Sequence, residues 1–114
     1  MKIWHPDAEG YANVLGLRIF YRVFGESGSK GTVLCLHGGP GCASDYMLPL
    51  SDLTRFGYKV VLYDQMGTGR SQLPTNKNLL TVEQHVKEIE GVRNALKLGK
   101  VHLFGHSWGA TIGT

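Results

Sequence analysis

Gly105-His106-Ser107-Trp108-Gly109 is a G-x-S-x-G sequence lying between a short apolar run and a helix-like segment. A serine on a sharp strand-to-helix turn has a strained backbone, and small neighbours let the chain pass close to itself. Gly105 and Gly109 provide them. The turn would lift the Ser107 hydroxyl above the carboxyl ends of the strands, where open α/β sheets bind ligands. It would also put the Trp108 N–H at a helix start, able to stabilise an oxyanion. The alternative is a glycine-rich turn with a capping serine. His37-Gly38-Gly39-Pro40-Gly41 is a second glycine-rich loop, also placed after an apolar run. Its glycines can aim backbone N–H groups at one point because no Cβ blocks the approach. In acyl transfer the Gly39 N–H would be the second oxyanion donor, and one such donor contributes about 2.7–4 kcal/mol in the transition state. The loop could otherwise be a plain turn or a phosphate cradle, but the Gly-Lys-Ser/Thr ending of a P-loop is absent.

The elements that must position these loops follow from residue pattern. Tyr11 to Phe24 reads as two short strands of an edge hairpin turning at Leu15-Gly16. Thr32-Val33-Leu34-Cys35-Leu36 and Tyr58-Lys59-Val60-Val61-Leu62-Tyr63 are apolar runs of the kind covered on both faces of a parallel sheet. Val101-His102-Leu103-Phe104 is a third such strand. Ser44 or Asp45 could cap a helix running to about Arg55, although Pro49 removes a helix hydrogen bond. Thr81-Val82-Glu83-Gln84 has the capping-box pattern and opens a helix with Val82, Val86, Ile89, Val92 and Leu96 at helical spacing, with Gly99 placed to end it. Strands alternating with helices after an opening hairpin predict an α/β layered fold with a mostly parallel sheet.

Composition narrows the function classes. The chain has 114 residues, 42% of them hydrophobic, and a formal net charge of +3. That is the composition of a globular protein with at most one domain. The basic residues are dispersed among acids, unlike the dense patch of a nucleic-acid binder. No run of about 18 apolar residues suggests a membrane span, and the start lacks the apolar stretch of a secretory signal. Cys35 and Cys42 make neither a disulfide framework nor a metal site, and read as free thiols in a reducing compartment, the cytoplasm.

HGGPG (His37 to Gly41), DQMGTGRS (Asp64 to Ser71) and GHSWGA (Gly105 to Ala110) together resemble the proline iminopeptidases, serine peptidases of the α/β-hydrolase fold. The resemblance spans nearly the whole chain. HGGPG followed by DQ-x-G-x-G-x-S is more specific than the serine motif alone, which any α/β-hydrolase esterase could carry. It implies cleavage of an N-terminal residue, classically proline, from short peptides with a free N-terminus. It also implies Ser107 as nucleophile, Gly39 and Trp108 as oxyanion donors, and His37, Gly38, Pro40, Gly41, Gly105 and Gly109 as loop support. No metal or organic cofactor is expected. Many relatives have Arg where this chain has Met66, and often Gly where it has His106.

A serine triad in this fold runs Ser, then Asp or Glu, then His. Only seven residues follow Ser107, none of them acidic or His, and all five histidines precede it. His37 is expected to organise its loop, His85 to lie on a helix surface, and His102 and His106 not to pair as metal ligands. Residues 1–114 are therefore expected to be the N-terminal part of one α/β-hydrolase core domain, inactive alone, with the cap, the acid and the base further on. The strand at 101–104 would then be left with an unpaired edge, which favours aggregation. A related esterase, lactonase or amidase, and a non-catalytic hydrolase-like binding protein, stand as the other functional classes.

Overall fold

The computed structural model describes residues 6–25, 29–38, 44–74 and 81–105. Five strands form one mixed sheet in the order β1-β2-β4-β3-β5. They are β1 (Ala8–Val14), β2 (Leu17–Phe24), β3 (Gly31–Leu36), β4 (Tyr58–Tyr63) and β5 (His102–Gly105). β1 and β2 form the antiparallel hairpin that the alternating pattern predicts, with β1 beginning at Ala8. Its two turn residues, Leu15 and Gly16, both have positive φ (53° and 79°). That is the mirror-image turn whose twist matches two paired strands. β2 pairs antiparallel with β4, while β4 and β5 flank β3 in parallel. Because these three strands run the same way, the loops after His37, Asp64 and Gly105 leave from one edge of the sheet.

Alternate residues of β3 and β4 enter two different cores. Leu34, Leu36, Val61 and Tyr63 join Ile19 and Val23 on one face, under Ile89 and Val92 of helix α1 (Val82–Ala95). Val33, Cys35, Val60 and Leu62 join Phe24 and Met47 on the other. Burying each such side chain contributes about 1.5–3 kcal/mol, so double-sided burial fixes the register of the central strands. β5 differs: Leu103 and Phe104 are 44% and 45% exposed, and β5 pairs on one side only among the described residues. Within these residues no helix is long and apolar enough to cross a membrane.

Three local expectations are corrected. Ser44–Phe56 is wound as a 3-10 helix, not an α-helix. Ser44, Met47, Leu50 and Leu53 recur every third residue, which matches three residues per turn, and Pro49 has no N–H for an α-helical bond. Thr81 caps α1 as predicted, accepting from the Gln84 N–H at 3.1 Å. The other end stops at Lys97 rather than Gly99. Lys97 takes φ 54°, Leu98 N–H reaches Arg93 O at 2.9 Å, and Lys97 N–H reaches Asn94 O at 3.2 Å, a Schellman closure. Finally, α1 is rotated from the predicted face: Val82 and Val86 are exposed, whereas His85 and Glu88 are buried beside Ile89 and Val92. Burial at 85, 88, 89 and 92 is itself an i, i+3, i+4, i+7 set, hidden in the sequence because two members are ionisable.

α1 approaches the hairpin through Gly91. A Cβ at that position would lie 2.5 Å from Val14 Cγ1, a stiff β-branched atom that is itself buried. Gly91→Ala gains about 1 kcal/mol of helix propensity but overpacks the contact by about 1–3 kcal/mol. A net loss of stability is expected in urea unfolding of the whole protein. Adding Val14→Ala should recover part of the loss attributable to the clash, as non-additivity in the double-mutant cycle.

Candidate active site

At the carboxyl edge of the sheet, the loop following β4 is knotted to the loop following β3 by buried polar groups. His37 has no exposed surface. Its Nδ1 lies 2.6 Å from Gly38 O, and its Nε2 accepts the Gln65 backbone N–H at 2.9 Å. An acceptor at Nε2 requires the proton on Nδ1, so the imidazole is the neutral Nδ1–H tautomer. Burial lowers its pKa, against the opposing pull of the Gly38 carbonyl and Asp64. The Gln65 side-chain amide returns to His37 O at 2.8 Å, making the contact reciprocal. Thr68 closes the turn, donating from Oγ1 to Gln65 O at 2.6 Å.

Asp64 is 1% exposed and joins three segments. Its Oδ1 accepts Ser44 N–H at 2.9 Å and the Ser44 hydroxyl at 2.6 Å, and its Oδ2 accepts Arg70 N–H at 3.1 Å. Such charge-assisted bonds are roughly twice as strong as neutral ones, and here they hold a carboxylate away from water. Ser44 in turn accepts from Arg22 Nη2 at 3.2 Å, and the same nitrogen pairs with Asp45 Oδ1 at 2.7 Å. Ser71 ties the far end of the loop to β2, accepting Phe20 N–H at 2.9 Å. Gly67 and Gly69 take φ of 77° and 49°, a backbone that side-chain-bearing residues rarely adopt.

Of the residues singled out in the sequence, His37, Gly38 and Gly105 lie among those described. Gly38 donates its N–H to the Tyr46 hydroxyl. Leu36 is registered against Gly105 across the β3–β5 pair, so the loops entered at His37 and Gly105 start from adjacent strands. Gly39, Pro40, Gly41, Cys42, His106, Ser107, Trp108 and Gly109 lie outside the described residues. His85 is not the surface residue expected: it is 5% exposed, and its Nδ1 is 2.7 Å from Thr81 O. Glu88 was not singled out, yet it is fully buried and accepts Met66 N–H on Oε2 at 2.7 Å. Tyr46, Asp64 and Gln65 also carry contacts that no local pattern announces. Cys35 is a buried free thiol with its pKa pushed up to about 12 by burial, which makes it unreactive. No group of three His, Cys, Asp or Glu side chains converges as a metal site among the described residues.

Residues 31–114 match the family model described as alpha/beta hydrolase fold. The chain belongs to that family. It is 38% identical over 105 residues to a proline iminopeptidase of Saccharolobus solfataricus, covering 91% of this chain and 34% of the relative. The crystal structure of the proline iminopeptidase from Mycobacterium smegmatis has a TM-score of 0.85 at 29% identity, over 93% of this chain and 38% of its own. That of VinJ has a TM-score of 0.89 at 38% identity, over 96% of this chain and 38% of its own. The chain thus spans about a third of the length of the curated relatives it matches. Within the α/β-hydrolase sheet, the buried Asp64 and His37 clusters build the floor from which the His37 loop departs.

Asp64→Asn tests that floor. An amide cannot accept from both Ser44 and Arg70, so one buried donor is left unpaired at a cost of about 1–3 kcal/mol. The urea midpoint of the whole protein should fall accordingly with its slope unchanged; an unshifted midpoint would show that the three bonds hold nothing together.

Proposed function

We propose that the whole protein is a serine aminopeptidase of the proline iminopeptidase type, releasing N-terminal residues, preferably proline, from peptides. The observation that carries this reading is the similarity to curated proline iminopeptidases across 91% of the chain. It is supported by the placement of the His37 and Gly105 loops on adjacent parallel strands. In this reading residues 1–114 are the N-terminal part of one α/β-hydrolase core domain, and the cap, the acid and the base lie beyond Thr114. The buried free thiol of Cys35 is in keeping with a cytoplasmic enzyme.

Ser107 Oγ attacks the carbonyl carbon of the first residue while its proton passes to a histidine beyond residue 114. The oxyanion is held by the N–H groups of Gly39 and Trp108. Collapse of the tetrahedral species breaks the C–N bond, the shortened peptide leaves as its amine with that proton, and water hydrolyses the acyl-enzyme. His37, Gly38, Pro40, Gly41, Gly105 and Gly109 shape the two loops. No metal or organic cofactor enters this scheme.

Hydrolysis of a prolyl arylamide by the whole protein is the direct test. Ser107→Ala should reduce kcat by at least about 10³-fold, the scale of nucleophile loss in such triads. Retained activity in that variant would sink the assignment of the nucleophile. Faster turnover of p-nitrophenyl esters than of prolyl arylamide would point instead to an esterase built on the same machinery.

A further inference from the structure

Glu88 is the buried ionisable group for which the proposed mechanism has no use. It sits on α1 beneath the carboxyl edge of the sheet, has no exposed surface, and accepts the Met66 N–H through Oε2 at 2.7 Å. Its Oε1 is buried without a hydrogen-bond partner, as is the hydroxyl of Tyr63 on β4. Met66 follows Gln65, whose main chain and side chain grip both the ring and the carbonyl of His37. One carboxyl group therefore underpins the segment that seats the His37-Gly38 loop. We propose that Glu88 is a positioning residue whose uncharged carboxyl group anchors the 64–71 loop, so that ionising it loosens the seat of His37 and the loop that follows.

A carboxylate in this position has one N–H donor and a low-dielectric surrounding, which is too little to replace its hydration. Burial accordingly raises its pKa to about 8, against the opposing effect of the Met66 N–H. Of the titratable groups nearby, Tyr63 on β4 interacts with it directly; His85 lies one turn earlier on α1 and is in turn sensed by His37, which also senses Asp64. Tyr63 is driven further toward its neutral form by burial and by Glu88 itself. Among the described residues no cation acts on Glu88 to hold its charge: the causes are burial and one backbone amide. Because its folded pKa lies above the ordinary carboxyl value of 4.5, the folded state holds a proton that the unfolded chain has lost. Stability therefore falls as pH rises from about 4.5 to about 8, then levels off.

Hydrogen exchange of the 64–71 segment and the pH-rate profile of the whole protein test this together. The second readout rests on the aminopeptidase reading and the first does not. After correction for base-catalysed exchange, wild-type protection of the Met66 amide should drop by up to about tenfold per pH unit between about pH 5 and pH 8 and level off above that, while kcat/KM for prolyl arylamide should fall above pH 8 as the ionised form accumulates. Glu88→Gln keeps an acceptor for Met66 and cannot ionise, so the pH-dependent loss of protection and the alkaline limb of kcat/KM should both vanish while activity below pH 7 is retained within about threefold. The same pH-dependent losses in both proteins, or none in either, would overturn the proposal. Should Glu88→Gln fail to fold, flat wild-type protection between about pH 5 and pH 8 overturns it equally. A protein without prolyl arylamide activity that still shows Glu88-dependent exchange removes the aminopeptidase reading and leaves the positioning role standing.

Discussion

A charged carboxylate withdrawn from water has to be surrounded by donors, and Asp64 obtains them from Ser44 and Arg70, on either side of it in the chain. Each of those donors belongs to a different stretch of backbone. Satisfying one buried charge therefore closes the loop after β4 against the start of the 3-10 helix. Arg22, reaching Ser44 and Asp45 from β2, extends the network to the hairpin. The sheet supplies the rigidity and this cluster supplies the loop geometry, since hydrophobic burial alone does not select a conformation for a polar turn.

His37 completes the seat in a different manner. Its neutral ring is an acceptor for one backbone amide and a donor to its own neighbouring carbonyl, so it works as a spacer between two loops and not as a proton carrier. Burial favours the neutral form that this bonding requires, so electrostatics and geometry agree. The pairing of Tyr46 with Gly38 N–H adds a third restraint on the same turn. Glycines can place amides in unusual directions, but they contribute no rigidity of their own. Here the neighbouring polar side chains contribute it.

The strands and α1 were legible because their signals are local. Apolar runs at 32–36 and 58–63 announced doubly covered strands, and Thr81 with Gln84 announced a helix start that the bond between them realises. Lys97 adopts a left-handed conformation although a glycine stands two residues on, and His85 and Glu88 are buried where exposed valines seemed better suited to the core. Glu88 is drawn inward by the Met66 N–H across 22 residues, whereas Lys97 is fixed by the helix-closing bonds to Asn94 and Arg93, which act whatever the residue type. The 3-10 winding of Ser44–Phe56 was foreshadowed by Pro49 and by threefold spacing, which a helix-period reading passes over.

The sequence by itself determined the order of elements, the α/β class and the three glycine-bearing motifs that relate the chain to the hydrolases. These depend on residue type and spacing along a few neighbouring positions, where backbone sterics and side-chain periodicity act directly. Tertiary structure alone decided which polar groups meet. Glu88 reaches Met66 across 22 residues and His37 reaches Gln65 across 28, and no local rule links such positions. Whether a buried acid or imidazole is tolerated depends on the donors that distant segments bring to it, and those exist only once the chain has folded.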